Sequence, residues 1–333
     1  MRLIPLLVLI AACTAVDRPT GARGDGRISA AEALAGTDAP QLPPDQANAI
    51  LGFQFQSELP VDAAGLALSE SGSVAHAGLG QVACDVLPHS AVIAADYYDP
   101  GDDTVSDGGW FNGAEVFVTF TPGRVNIHPV GSGSTSDSFG VDAVTDARLT
   151  DDGFVAMSRS FTGCMIGWYD SQGALDDATV FGSQGASCDG SLAVDRATGT
   201  VWVGSPEGVL EIDPAGITLV DSTPSAQVAF EGGLYIGGAD GLLRSLAVDG
   251  SAGWVSQLDG PIEALAVDPT QGVLFAAVDS FERRLIAIDS ADAIVLGGIS
   301  YSASAQGIAL SGSGYRLALD TSSGVEFYNL IQN

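Results

Sequence analysis

The sequence predicts an all-β protein, a β-propeller, on three observations. A grammar of short apolar strand, turn, second strand, Gly-containing turn and third strand is written seven times between Leu66 and the C-terminus. The starts of the second strands, near Val74, Glu115, Phe154, Val201, Leu234, Val273 and Tyr315, lie about 40 residues apart, the period of four-stranded propeller blades. No stretch after Asn48 sustains helical periodicity over three turns.

Taken in order, the chain begins MRLIPLLVLIAAC, one positive charge ahead of an apolar run too short to span a bilayer. Ile10-Ala11-Ala12-Cys13 resembles the lipobox of bacterial lipoproteins. The resemblance implies a signal peptide over 1–12, lipidation of Cys13, and a lipid-anchored place in the bacterial cell envelope, periplasmic or surface-exposed. Residues 13–48 are rich in Ala, Gly, Pro, Asp and Thr and hold almost no large apolar side chain, the composition of a disordered tether. The Arg23-Gly24-Asp25 triplet inside it consists of common residues and predicts no adhesion by itself. Residues 49–333 form the propeller domain.

Within that domain, Ile50 to Phe55 is expected to supply the outer strand of the last blade, because the final repeat has only three strands before the chain ends. Pairing the two ends closes the ring and covers a sheet edge. Seven blades are expected, with six or eight as alternatives. Ala91 to Asp96 reads either as the outer strand of the first blade or as the inner strand of the second. The copy beginning at Gly113, GAEVFVTFTPGRVNIHPV, has its first strand displaced. The copies LAVDRATGTVWVGSPEGVLEID from Leu192 and LAVDPTQGVLFAAVDSFERRLIAID from Leu265 are similar to the repeats of YVTN-type and NHL-type propellers. That similarity implies blade grammar and carries no functional residues. Asp195 and Asp268 close inner strands, where a carboxylate caps the following turn. Ala193 to Gly199 is also similar to the turn of pyrroloquinoline quinone propellers, but Trp202 stands one residue early and the motif occurs once.

Composition narrows function. All 12 basic residues are Arg, against 41 Asp plus Glu, for a net charge of −29. Without Lys there is neither a P-loop lysine nor a Schiff-base lysine. The negative charge speaks against nucleic acid and leaves the N-terminal lipid as the link to a membrane. No Gly-x-Ser-x-Gly elbow is present. His76, His89 and His128 are scattered, and His76 and His128 fall in strands.

The longest interruption of the blade pattern is Tyr97 to Gly113, which reads as a loop. It carries Tyr97, Tyr98, Trp110 and Phe111 with Asp99, Asp102, Asp103 and Asp107, a mixture suited to a binding loop. The four carboxylates are also a possible Ca²⁺ site, although their spacing departs from the EF-hand, and a solvated acidic loop is the plain alternative. No other cofactor is expected. Cys164 and Cys188 should form a disulfide, since the second-to-third-strand turn and the link between blades share a face; Cys84 is left as a buried thiol. The composite expectation is a lipid-anchored binding or scaffold propeller for a protein or glycan partner. The alternative is a lactonase- or hydrolase-like enzyme with its site at the central channel.

Overall fold

A computed structural model of the chain describes residues 51–59, 65–69, 73–78, 81–86, 93–95, 103–130, 137–182, 188, 190–268, 271–311 and 316–332, with backbone alone for 73–95. Strand β1 (Leu51–Leu59) precedes β2 (Leu66–Leu68), β3 (Ser73–Gly78), β4 (Gln81–Val86) and β5 (Ile93–Ala95). The second sheet comprises β6 (Thr104–Phe111), β7 (Ala114–Thr121), β8 (Arg124–Pro129) and β9 (Asp137–Gly140). The third comprises β10 (Val144–Leu149), β11 (Gly153–Arg159), β12 (Cys164–Asp170) and β13 (Leu175–Phe181). The fourth runs β14 (Leu192–Val194), β15 (Val201–Ser205), β16 (Gly208–Asp213) and β17 (Gly216–Asp221). The fifth runs β18 (Gln227–Phe230), β19 (Gly233–Gly237), β20 (Leu242–Ala247) and β21 (Ala252–Gln257). The sixth runs β22 (Ile262–Asp268), β23 (Val273–Val278), β24 (Arg284–Asp289) and β25 (Val295–Ser300). The last holds β26 (Ala305–Leu310), β27 (Arg316–Thr321) and β28 (Gly324–Gln332), and β1 is its outer strand. No helix occurs among the described residues.

Every sheet is antiparallel, and the first strand of each adjoins the first strand of the next around a common axis. Hydrophobic cores lie between neighbouring sheets. One joins β6–β8 to β10–β12 through Val118, Ile127, Phe154 and Tyr169; another joins β22–β25 to the last sheet through Phe275, Leu285, Leu319 and Tyr328. Phe53 of β1 meets Phe275 and Tyr328 edge-on, with ring centroids 6.1 and 6.2 Å apart. Two tryptophans dock one blade onto the next. Trp168 Nε1 donates to Gly199 O at 2.6 Å and Trp254 Nε1 to Ser290 O at 2.9 Å.

Three expectations are corrected here. The expectation of seven blades is corrected to six, the number of sheets with described side chains and packed cores. The sheet over Leu66–Ala95 is a further, slighter ladder whose β2 and β5 are three residues each and which adds only Leu66 and Leu68 to a described core. Ala91 to Asp96 contains β5, the outer strand of that sheet, pairing Ile93 with Cys84. The inner strand of the next sheet is β6, immediately before the copy at Gly113, so that copy has no displaced strand and Tyr97 to Gly113 is not one loop. The reason is packing at the axis. A Cβ on Gly108 would lie 2.6 Å from Leu68 O, and one on Gly109 would lie 2.3 Å from Arg196 Nη1, so the strand needs small residues that resemble a turn in sequence.

His128, expected in a strand, lies on β8, buried, with Nε2 2.8 Å from Thr119 Oγ1. Burial lowers its pKa from 6.5 to about 4. Between these values the unfolded chain takes up a proton that the folded protein refuses. Stability from this group is therefore full above pH 6.5 and is lost as pH falls toward 4, by roughly 3 kcal/mol at most. Replacing His128 by Gln should flatten that part of the decline, measured as the urea midpoint of both proteins between pH 7 and pH 4.5.

Candidate functional site

A channel of about 730 Å³ runs along the axis, and every inner strand contributes to its lining. Each inner strand is the edge of its sheet, so its axial side offers backbone N–H and C=O groups that no strand pairs. Polar side chains take them up. Asp107 on β6 accepts from Gly108 N through Oδ1 and from Leu149 N of β10 through Oδ2, both at 2.8 Å. Arg148 on β10 donates to Ser106 O of β6 and to Asp146 Oδ2 at 3.0 Å. Ser191 Oγ accepts from Val228 N of β18 at 3.1 Å, and Glu263 of β22 accepts from Ala305 N of β26 at 2.7 Å and from Tyr301 Oη at 3.1 Å.

Arg196, in the turn after β14, reaches past β10 to β6. Its Nη2 donates to Asp107 Oδ1 at 3.0 Å and to Gly108 O at 2.9 Å. Glu231 in the turn after β18 stands near it: desolvation raises the Glu231 pKa, Arg196 opposes the rise, and Asp195 and Asp268 add to it. The Asp146 carboxyl is likewise raised by burial against the pull of Arg148. Burial disfavours the Arg148 charge, but Asp146 and Asp107 outweigh it and raise its pKa. The axial carboxylates thus outnumber the two axial guanidiniums, which pair with Asp146 and Asp107.

A local motif underlies this set and went unread in the sequence. Val105-Ser106-Asp107-Gly108 and Val144-Thr145-Asp146-Ala147 stand one repeat apart. In both, the register shifts at the hydroxyl residue, whose oxygen lies 3.5 or 3.4 Å from a carbonyl of the second strand. In both, the Asp accepts from the next backbone N–H at 2.8 Å. The register also shifts at Glu263 and Gln306, giving four inner strands a bulge that aims a polar side chain toward the axis. The signal available was the repeated V-[ST]-D-[GA] string.

The residues expected to form a binding loop separate. Asp107, Trp110 and Phe111 lie on β6, with Asp107 at the channel, Phe111 buried and Trp110 exposed. Asp103, just before β6, lies with Oδ2 3.5 Å from Thr119 Oγ1. Tyr97, Tyr98, Asp99 and Asp102 lie outside the described residues, as do Cys13 and His89. No group of three or more His, Cys, Asp or Glu poised to hold a metal occurs among the described residues, and Asp107, one of the four suggested Ca²⁺ ligands, bonds to backbone donors and Arg196. The turn-capping role of Asp195 and Asp268 is met: Asp195 Oδ1 accepts from Ala197 N at 3.0 Å and Asp268 Oδ1 from Gln271 N at 3.2 Å.

The disulfide is present. Cys164 and Cys188 have Cα atoms 5.6 Å apart and join the turn before β12 to the link before β14. Closing this loop contributes around 3 kcal/mol on a chain-entropy estimate. Cys84 lies on β4 as expected, but its side chain is outside the described set.

No family model matches the sequence, and no curated protein does. Among solved structures, a chain of the "Crystal Structure of Mitotic Checkpoint Complex" superposes with a TM-score of 0.68 at 16% identity, covering 89% of this chain and 97% of that one. At that identity the likeness supports the propeller fold alone.

Replacing Asp107 by Ala should leave Leu149 N and Gly108 N without their acceptor and cost about 2–4 kcal/mol in urea unfolding. Asn at the same position keeps one acceptor oxygen and should cost less than Ala.

Proposed function

We propose that the protein is a lipid-anchored binding scaffold of the cell envelope, with protein as its partner. The observation that carries the scaffold reading is the use of the axial charges. Asp107, Arg148, Arg196 and Glu263 each bond to backbone groups of another blade, so these four channel charges hold the ring together. A hydrolase needs a general base or nucleophile held ready for substrate. The propeller likeness to a chain of a mitotic checkpoint complex, a protein assembly by its printed name, agrees with a protein partner. A rigid ring of short turns presents a broad surface at little ordering cost, which favours binding. Anchoring rests on the lipobox resemblance at Ile10 to Cys13.

Fractionation and turnover assays test this together. Wild type should sediment with membranes and Cys13→Ser should appear in the soluble fraction; identical distribution of the two would remove the anchor from the reading. Purified propeller should hydrolyse simple aryl esters and lactones no faster than buffer. Saturable turnover that Asp107→Asn abolishes, with the fold intact, would replace the scaffold by the enzyme.

A further inference from the structure

An asparagine loses its amide when the backbone nitrogen of the next residue attacks the side-chain carbonyl carbon. The reaction is favoured where that next residue has no side chain and its peptide can turn freely. The chain has five asparagines, and Asn112 alone precedes a glycine. Asn112 and Gly113 form the two-residue turn between β6 and β7, beyond the closing pair of Phe111 with Ala114. Both lie in the left-handed region, with φ of 50° and 76°, as an Asn-Gly hairpin turn requires.

The surroundings leave this pair open to reaction. Both residues are exposed, and a Cβ built on Gly113 would meet no atom within 4 Å. No hydrogen bond holds the Asn112 amide among the described residues. Three Asp-Gly pairs contrast with it. Asp107 Oδ1 accepts from Gly108 N at 2.8 Å, Asp240 Oδ1 from Leu242 N at 3.0 Å and Asp249 Oδ1 from Ser251 N at 2.9 Å, so those side chains are held. A carboxylate is in any case a poorer electrophile than an amide. The other described asparagines are hindered. Asn126 is buried, accepts from Ser138 Oγ at 2.7 Å and precedes Ile127, while Asn329 precedes Leu330 within β28.

We propose that Asn112 is a site of spontaneous covalent modification, and that its product, an isoaspartate, loosens the β6–β7 hairpin. Gly113 N, its proton lost to hydroxide, attacks Asn112 Cγ. The new N–C bond closes a five-membered imide, and the side-chain nitrogen leaves as ammonia. Water then opens the imide at either carbonyl. Cleavage at Cγ yields aspartate; cleavage at the backbone carbonyl carbon leaves the chain running through Cγ, with the old backbone carboxyl as a side group. The balance is one water taken up and one ammonia released.

The consequence follows from the tightness of the turn. A two-residue hairpin loop fixes the register of its strands, so an added backbone atom disturbs its closing pairs first, Phe111 with Ala114 and Trp110 with Glu115. The modification stands apart from the scaffold reading and needs no partner.

The purified protein, held at mildly alkaline pH and digested with chymotrypsin, tests this. The peptide 112–117, released by cleavage after Phe111 and Phe117, should gain the mass of an amide-to-acid conversion while Asn126 keeps its amide. Electron-transfer fragmentation should show isoaspartate in excess of aspartate. The rate should rise with pH, and Asn112→Gln, whose longer side chain closes a ring far less readily, should lose the conversion. The separated isoaspartyl fraction should unfold at lower urea than fresh protein, and Asn112→Asp, with the charge but not the longer backbone, should match fresh protein. An Asn112 that stays intact in the folded protein while the urea-unfolded chain converts would overturn the site. Aspartate without isoaspartate would overturn the imide route, and equal urea midpoints for all three forms would overturn the loosening.

Discussion

A ring of radial sheets turns one edge of every sheet toward its axis, and the free backbone groups of those edges must find partners there. Much of the rest follows from that constraint. Side chains with oxygen and guanidinium groups are drawn to the inner strands, and bulges aim them. Asp107 illustrates the economy of the arrangement: its carboxylate serves its own strand, the neighbouring strand and an arginine two blades away. The channel is polar because the edges are, before any ligand is considered.

Crowding at the axis explains the sequence of the inner strands as much as their polarity does. Gly108 lies against the Leu68 carbonyl and Gly109 against the Arg196 guanidinium. Farther out, where sheets diverge, Phe117, Phe154, Phe275 and Phe327 fill the widening gaps and are fully buried.

The blade grammar was legible because the second and third strands, such as Val273–Val278 and Arg284–Asp289, are buried on both faces and read as near-continuous apolar runs. The disulfide was legible because two loops of known face sat within one repeat of each other. Strand β6 was not legible: Ser106, Asp107, Gly108 and Gly109 combine the residue types of a turn with the duties of an axial strand. The Asp107–Arg196 bond was hidden for a different reason. Its partners lie two blades apart, and only the curvature of the ring brings them together.

The strap β1 has a mechanical meaning. Its eight aligned pairs with β28 run from Leu51 with Gln332 to Leu59 with Val325, and the preceding chain departs from the Leu51 end. Tension applied through that chain and directed along the strand draws β1 lengthwise past β28. Hydrogen bonds between the two strands then share the load at once, where a sideways pull would break them one after another. Phe53, wedged between Phe275 and Tyr328, adds a side-chain catch to the same slide. Resistance of this kind is governed by the rate of unfolding and not by the equilibrium. The closure of the ring is in this sense also a shear joint, placed at the N-terminal end of the described strands.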